Sequence, residues 1–354
     1  MSKKQVMCGD VPIGGGAPIS IQSMTNTDTR DAEATYAQIM RLAEAGCQIV
    51  RCIVPDMEAA VSFGKIRKKS PLPMVADIHF DYKMAIAAMD NGADKVRINP
   101  GNIGSDEKVA AVLDHAKACG IPIRIGVNSG SVEKEIIAKY GGVTAEGLAE
   151  SAFKVVEYAR SFGFEDLVVS LKSADVAMNH KAHKLLAAKC DLPLHIGLTE
   201  AGVGQMAEIK STAALGALIL DGIGDTMRVS LTGDPVREVV LAKKILKAVG
   251  VRRYGIDFVS CPTCGRTRVN LPEIAANIEQ QLAPLSEQLE KECRSLRVSV
   301  MGCAVNGPGE ARNSDIGVAC GKGEGLIIKK GEILRKVPEA DISAELINEI
   351  RRMM

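Results

Sequence analysis

The sequence contains no tryptophan, and aromatic residues make up only 3% of its 354 residues. Stacked aromatic side chains are the usual platform for single-stranded nucleic acid, so this scarcity argues against such a platform. The formal net charge is +1, which provides no general field for a polyanion. Neither feature favours binding of nucleic acid, although the net charge does not exclude a local basic pocket.

Long apolar runs are also missing. Every apolar run is shorter than the roughly 20 residues that a membrane-spanning helix needs. The opening MSKKQVMCGDVPIGGG has no apolar core of a secretory signal. Most of the ten cysteines stand alone in apolar segments, where cysteine behaves as a small hydrophobic residue. We therefore expect a reduced, cytoplasmic protein that does not bind a membrane.

Eight short segments rich in Val and Ile recur between residues 19 and 231, separated by stretches of helical periodicity. QIVRCIV (48–54) and DLVVSLKS (166–173) are two of them, and DAEATYAQIMRLAEAG (31–46) is a predicted helix. Eight near-even units predict an α/β fold with a closed (β/α)8 TIM barrel, rather than an open doubly wound sheet. The GGG of residues 14–16 is interpreted as a hairpin turn in a plug below the barrel, not as a phosphate-binding loop.

A second, smaller domain is predicted after the helix DPVREVVLAKKILKAVG (234–250). Its segments alternate between helix and strand in a mixed α/β order, and it carries the CPTC motif. The predicted domains are therefore 1–250 and 251–354.

Polar residues occupy the predicted carboxyl ends of the barrel strands, where barrel enzymes place their active sites. Five of them are cations: Arg51, Arg97, Arg124, Lys172 and Arg228. Buried cations need negative counter-charge. Asp77 and Glu200 neutralise only part of the positive charge of these five residues. A single arginine can point outward between strand and helix, but five together are expected to bind a small polyanion, most simply a di- or cyclic phosphate. The same mouth is expected to hold His79, Asn128, His195 and Ser230.

Three cysteines lie in Gly- and Pro-rich contexts, in CPTC and in MGCAVNGPGEA. Cys261, Cys264 and Cys303 supply three thiolates for one metal centre. Zinc would require a second C-x-x-C or a C-x-x-H in the same domain, and all five histidines precede residue 196. The motif does not open a helix after a first strand, which disfavours a thioredoxin-type role.

The sequence offers three candidates for the fourth ligand: Cys293, Cys320 and Glu310. Glu310 comes seven residues after Cys303 across the turn sequence NGPG. A carboxylate binds iron more weakly than a thiolate and is more easily displaced, which suits an iron that must bind substrate. The alternative role of Glu310 is to cap a local turn.

The motifs CPTCGRT, MGCAVNGPGEA, SMTNTDT, ADIHFD, VRINPGNIG, RIGVNSGS and GDTMRVSLTGDP resemble those of the bacterial 4-hydroxy-3-methylbut-2-enyl diphosphate synthases. The resemblance covers essentially the whole chain. It implies a barrel that binds 2-C-methyl-D-erythritol 2,4-cyclodiphosphate. It also implies a second domain similar to a sulfite or nitrite reductase repeat that holds a [4Fe–4S] cluster.

The implied activity is an oxidoreductase step of isoprenoid precursor synthesis in the methylerythritol phosphate pathway. Two electrons, delivered through the cluster from flavodoxin or ferredoxin, open the ring of the cyclodiphosphate and remove one oxygen as water. The family also implies a homodimer in which the cluster domain of one chain lies over the barrel of the other.

The resemblance further implies the roles of individual residues. The cluster ligands would be Cys261, Cys264, Cys303 and Glu310. The catalytic residues would be Glu200, Glu310, Asp77 and His79, with Glu200 a candidate proton donor beside His79 and His195. The substrate contacts would be Arg51, Arg97, Arg124, Asn128, Lys172, His195, Arg228, Ser230 and Asn306.

Two other functions are weighed against this one. In a phosphate-sugar aldolase or isomerase with a structural zinc in its tail, Lys172 would form a Schiff base. A cluster-bearing regulator that binds nucleic acid is disfavoured by the near-zero net charge and the lack of a helix-turn-helix signature.

Overall fold

The computed structural model of the chain describes residues 2–99, 103, 105–303, 305 and 307–354. The chain divides into two compact units, Met1–Val249 and Gly250–Met354. This division lies one residue before the predicted one. In the described part of the chain, no helix is long and apolar enough to cross a membrane.

Eight parallel strands of the first unit close into a barrel. They follow chain order around it and are β3 (Ser20–Met24), β4 (Ile49–Ile53), β5 (Met74–Asp77), β6 (Lys95–Ile98), β7 (Ile123–Asn128), β8 (Leu167–Lys172), β9 (Leu194–Gly197) and β10 (Thr226–Arg228). Pairing of Thr226 with Ser20 joins the last strand to the first. The predicted (β/α)8 barrel is confirmed, and the open doubly wound sheet is wrong.

Helices cover the outside of the barrel. They are α1 (Ala32–Glu44), α2 (Met57–Arg67), α3 (Tyr82–Asp90), α4 (Asp106–Cys119), α5 (Lys134–Tyr140), α6 (Ala145–Ser161), α7 (Val176–Ala187), α8 (Gly204–Leu220) and α9 (Val236–Ala248). Aspartate side chains cap the first turns of α1, α2, α3 and α7 by accepting backbone N–H groups. Outward strand residues such as Val50, Ala76 and Val169 pack with these helices in one apolar core. The inward positions are therefore free to carry polar side chains.

An antiparallel hairpin, β1 (Gln5–Cys8) and β2 (Val11–Gly14), precedes the barrel. Val6 and Ile13 of the hairpin pack in one cluster with Ile49, Val75 and Val168, which lie near the amino ends of their strands. The predicted plug is confirmed. The turn of the hairpin is residues 9–10, however, and the GGG ends β2 and leads into the barrel, all three glycines with positive φ.

The second unit is a five-stranded sheet with helices. Its strand order is β11 (Gly255–Ser260), β12 (Ser295–Met301), β13 (Ile316–Cys320), β14 (Glu324–Lys329) and β15 (Glu332–Pro338). The first three strands are parallel, and β14 and β15 continue antiparallel. Its helices are α10 (Leu271–Lys291), α11 (Gly307–Arg312) and α12 (Ile342–Met353). A separate apolar core includes Ile278, Val298 and Leu346, so the predicted small α/β unit is confirmed.

Candidate active site

A pocket of about 240 Å³ opens among the carboxyl ends of the barrel strands. A space of this size suits a small ligand. It is lined by Met24, Arg51, Ile53, Asp77, His79, Arg97, Arg124, Asn128, Ser170, Lys172, Thr199, Arg228 and Ser230. All five cations named from the sequence thus lie at one site.

Strand alternation explains why these cations point inward. Residues at every second position of a strand share one face, and neighbouring strands pair Asp77 with Arg97 and Arg97 with Arg124. The three side chains therefore follow each other around the inner wall at one level. The apolar residues that alternate with them, such as Val96 and Ile125, belong to the outer core.

Two inward glycines leave the room that the long cations need. A Cβ at Gly126 would lie 3.0 Å from Nε of Arg97, and one at Gly197 would lie 3.1 Å from Cε of Lys172. Such contacts are tighter than most real Cβ contacts, so a larger residue at either position would require the cation to shift. Glycine at these positions lets a side chain cross the strand surface closely.

Asp77 is the counter-charge at the centre of the pocket wall. Arg97 Nη1 donates to its Oδ1 at 3.1 Å, and Arg51 Nε lies 3.4 Å and His79 Nε2 3.8 Å from its Oδ2. Burial raises the pKa of Asp77, but Arg51, Arg97 and Arg124 together outweigh burial and hold the pKa at about 2. Asp77 is therefore ionised at neutral pH and orients arginines.

A second buried carboxylate, Glu238 of α9, was missed by the sequence reasoning. Arg228 donates to it twice, from Nη2 to Oε1 at 3.0 Å and from Nε to Oε2 at 3.1 Å. Ser23 Oγ and the Leu231 backbone N–H also donate to it, both at 3.1 Å. The available signal was an acidic residue in the first turn of the closing helix, but its inward direction depends on the closure of the barrel.

Two cations of the pocket have no carboxylate partner in the described residues. Arg124 is 1% exposed, and its Nε and Nη1 have no hydrogen-bond partner there. Burial, followed by repulsion from the neighbouring arginines, lowers the pKa of Arg124 and of Lys172 well below the usual values. This repulsion shows that the pocket contains more cationic than anionic groups. An anionic ligand would relieve the repulsion, so the pocket fits such a ligand.

Glu200 and His195 do not line this pocket. Glu200 follows Thr199 in the loop after β9, where it is exposed with a φ of 54°. His195 is fully buried near the start of β9, two residues before Gly197, so it lies one level deeper in the barrel. Burial and the nearby Arg124 and Lys172 lower the pKa of His195 well below its usual value. His195 is therefore neutral, and it lies deeper than the expected position at the mouth.

Three cysteines of the second unit, Cys261, Cys264 and Cys303, follow the carboxyl ends of two adjacent parallel strands, β11 and β12. Gly302 N–H donates to Cys261 Sγ at 3.2 Å. A hydrogen bond from the Arg266 backbone lowers the pKa of Cys264, with further help from the Arg266 side chain, whereas nearby Cys303 raises it. N–H donors and a lowered pKa both favour thiolates, so this donor set fits an iron–sulfur cluster.

These groups do not form a preformed metal cage. In the described residues, no set of three or more His, Cys, Asp or Glu side chains is arranged to hold a metal ion. Ligand side chains commonly gather only when the metal binds. Glu310 is exposed on the short helix α11, and Asn306 lies outside the described residues.

The two alternative cysteine ligands differ in position. Cys293 precedes β12 and Cys303 follows it, and a seven-residue strand separates its two ends by roughly 20 Å. Cys293 is therefore excluded as a partner of Cys303. Cys320 ends β13 at the same edge as Cys261, but burial, Glu339 and Cys261 raise the pKa of its thiol to about 12. A thiol held protonated is a poor metal ligand.

Family models match both units, the GcpE TIM-barrel domain over residues 3–243 and the GcpE protein C-terminal domain over residues 257–352. The chain belongs to the GcpE family. A GcpE-type relative from Ruminiclostridium cellulolyticum, named 4-hydroxy-3-methylbut-2-en-1-yl diphosphate synthase (flavodoxin), is 54% identical over 99% of this chain and 97% of its own length. A Geobacter sulfurreducens protein of the same name is 53% identical over 99% and 98% of the two chains.

Solved structures resemble this GcpE chain in fold alone. Yersinia pestis dihydropteroate synthase with a pterine-sulfa conjugate is 13% identical, with a TM-score of 0.52 over 70% of this chain and 98% of that chain. Identity at this level carries no information on the reaction.

Proposed function

We propose that this chain catalyses the reductive ring opening and dehydroxylation of 2-C-methyl-D-erythritol 2,4-cyclodiphosphate to 4-hydroxy-3-methylbut-2-enyl diphosphate. The reaction consumes two electrons and two protons and releases one water, in the synthesis of isoprenoid precursors. The observation that carries the proposal is the five-cation pocket, in a chain that is 54% identical along nearly its whole length to a protein of that name.

The pocket residues would bind and activate the diphosphate. Arg124 and Lys172, which lack a carboxylate partner in the described residues, would bind phosphoryl oxygens most directly. Positive charge already in place stabilises the diphosphate as its ester bond to carbon breaks, without reorganisation during the reaction. Asp77 holds Arg51 and Arg97 in position. Asn128 and Ser230 line the same pocket and offer neutral hydrogen bonds to the hydroxyl groups of the substrate.

His79 and Glu200 are the proposed sources of protons. His79 lines the pocket with its side chain 41% exposed, so it can exchange protons with solvent. Glu200 is exposed directly after the lining residue Thr199. We expect Glu200→Gln to abolish turnover and to leave diphosphate binding unchanged. Retained turnover in this variant would assign the proton to His79, tested by His79→Asn.

Cys261, Cys264, Cys303 and Glu310 are the proposed ligands of a [4Fe–4S] cluster, and Asn306 of the same loop is a proposed substrate contact. When bound, the cluster supplies single electrons at low potential. The lowered pKa of Cys264 favours its thiolate, and Gly302 N–H offers a hydrogen bond to the sulfur of Cys261. Flavodoxin is the proposed electron donor, with ferredoxin as the alternative, since the names of the relatives specify flavodoxin.

The decisive experiment is anaerobic purification followed by iron and sulfide analysis, with EPR after dithionite reduction. We expect about four iron and four sulfide per chain and a reduced-cluster signal. Cys303→Ser should lose the cluster, whereas the matched control Cys293→Ser should keep it. Glu310→Ala should retain the cluster with an altered signal.

Turnover of the cyclodiphosphate with reduced flavodoxin then tests the reaction itself. Zinc without sulfide would overturn the proposal and favour the aldolase alternative. In that case borohydride would trap a substrate on Lys172.

A cytoplasmic homodimer is also proposed, in which the cluster unit of one chain serves the barrel of the other. Coexpression of Cys303→Ser with Arg124→Met, each carrying a different tag, tests this arrangement. A crossed dimer containing both variants has one undamaged active site, whereas self-sufficient chains have none. Activity of the doubly purified mixed dimer supports the crossed arrangement, and its absence contradicts it.

A further inference from the structure

Met24 lies between two of the five cations of the pocket. Arg51 Nη2 lies 2.8 Å and Arg51 Nε 3.2 Å from Met24 Sδ, and Arg228 Nη1 lies 3.7 Å from the same sulfur. Both guanidinium groups thus point N–H donors at one thioether. A thioether sulfur is a weak but real acceptor, and a contact with two cations distinguishes Met24 from an ordinary apolar filler.

Barrel closure places this sulfur between the two arginines. Met24 ends β3, its register partner on β4 is Arg51, and the strand on the other side of β3 is β10, which carries Arg228. Met24 is partly buried and lines the pocket. The position is therefore set by backbone pairing rather than by a flexible loop.

The neutral sulfur has a specific electrostatic advantage here. Arg51 already lies beside the carboxylate of Asp77, and Arg228 already donates hydrogen bonds to both carboxylate oxygens of Glu238. A third carboxylate between them would cancel the charge that the ligand requires, and a hydrocarbon would remove the acceptor that Arg51 Nη2 and Arg228 Nη1 share. Repulsion between them is real, since Arg228 is one of the groups that lower the pKa of Arg51, after burial. A polarizable neutral acceptor holds both without neutralising either.

We propose that Met24 is a positioning residue that holds Arg51 and Arg228 through its thioether, so that an oxyanion of the ligand meets preoriented and fully charged guanidinium groups. The sulfur takes no part in the chemistry. The inference rests on the proposed function only in that the ligand is a diphosphate. Preorientation reduces the cost of ordering side chains on binding, so its effect should appear in affinity before it appears in turnover.

The test uses three substitutions of Met24 and inorganic pyrophosphate as the probe, with dissociation constants measured by calorimetry on the anaerobic holoenzyme. Met24→Leu keeps the apolar volume and removes the acceptor. Met24→Gln has similar length and supplies a neutral oxygen acceptor. Met24→Glu supplies an acceptor with a negative charge. Urea unfolding checks that each variant is folded, and the Leu variant should stay close to the wild type.

We expect Met24→Leu to bind pyrophosphate about tenfold more weakly. Met24→Gln should stay within about threefold of the wild type, and Met24→Glu should bind at least as weakly as the Leu variant. With the cyclodiphosphate, the Leu variant should raise KM more than it lowers kcat.

If Met24 only fills space, the order reverses: Leu then matches the wild type and Gln is worse, and the inference is overturned. Failure of the wild type itself to bind pyrophosphate would instead overturn the proposed diphosphate pocket, so the two failures are distinguishable.

Discussion

Arg228 and Glu238 form a two-point ion pair, with Nη2–Oε1 at 3.0 Å and Nε–Oε2 at 3.1 Å. The same carboxylate accepts from Ser23 on β3 and from the backbone of Leu231. One buried side chain thus connects the first and last barrel strands with the closing helix and directs an arginine into the pocket. Stability and ligand binding depend on the same contact.

Glu238→Ala is therefore expected to lower the unfolding free energy and to weaken ligand binding. Removing one partner leaves the guanidinium of Arg228 poorly compensated, and breaking a buried pair costs about 3–5 kcal/mol of unfolding free energy. Glu208→Ala is the matched control, because Glu208 pairs with Arg237 on the surface, where ion pairs contribute at most about 1 kcal/mol. Urea unfolding measures the two costs. Equal small costs for both variants would contradict the structural role of Glu238.

Asp77 makes the stability of the barrel dependent on acidic pH. Its pKa in the folded protein is about 2, below the value of about 3.9 in an unfolded chain. Its stabilising contribution is therefore complete above about pH 4 and is lost as the pH falls toward 2. We expect the difference in unfolding free energy between wild type and Asp77→Asn to shrink by about 2 kcal/mol over this interval. Denaturant titrations at several pH values measure it, and a constant difference would rule out the depressed pKa.

Arg124→Met is expected to stabilise the fold and to abolish pyrophosphate binding. Desolvation of a buried charge is costly, and no carboxylate of the described residues forms an ion pair with Arg124 to offset that cost. Lys95→Met is the matched control, since Lys95 is fully buried on β6, forms no ion pair with a carboxylate of the described residues, and does not line the pocket. Both variants should melt at higher temperature in calorimetry, and only Arg124→Met should lose binding. Retained affinity in Arg124→Met would show that Arg124 is not a ligand contact.

Gly197→Ala is expected to displace Lys172. The added Cβ would lie 3.1 Å from Lys172 Cε and 3.0 Å from the backbone oxygen of Arg228, and overpacking of this kind costs about 1–3 kcal/mol. Gly216→Ala on α8 serves as the control, because its Cβ meets only ordinary contacts at 3.6 Å. Weaker pyrophosphate binding should follow Gly197→Ala alone. Identical affinities in calorimetry would mean that Lys172 accommodates the methyl group.

Much of the candidate site was predictable because it depends on strand alternation. Once eight strands are recognised, their alternation places residues such as Arg51, Arg97 and Arg124 on one face, the inside of the barrel. His195 shows the limit of this reasoning. Parity assigns it inward correctly, but its level in the barrel depends on strand register, which places it below the pocket.

Glu200 shows a second limit. It comes three residues after the end of β9, where the chain has left the strand and its direction depends on loop conformation. Glu238 and Met24 show a third limit of prediction from the sequence. Glutamate in a helix and methionine in a strand are common residues, and nothing local marks them as partners of arginine.

The amino-acid sequence by itself determined the (β/α)8 barrel, the small α/β unit, the plug and the set of cations, because these follow from periodicity and from the identity of charged residues. Only the tertiary structure decided which carboxylate faces which arginine, since these pairs join residues far apart in the chain through the closure of the barrel. The same closure set the depth of His195 and brought Met24 Sδ between Arg51 and Arg228. Long-range pairing and strand register are properties of the assembled sheet, which no local pattern encodes.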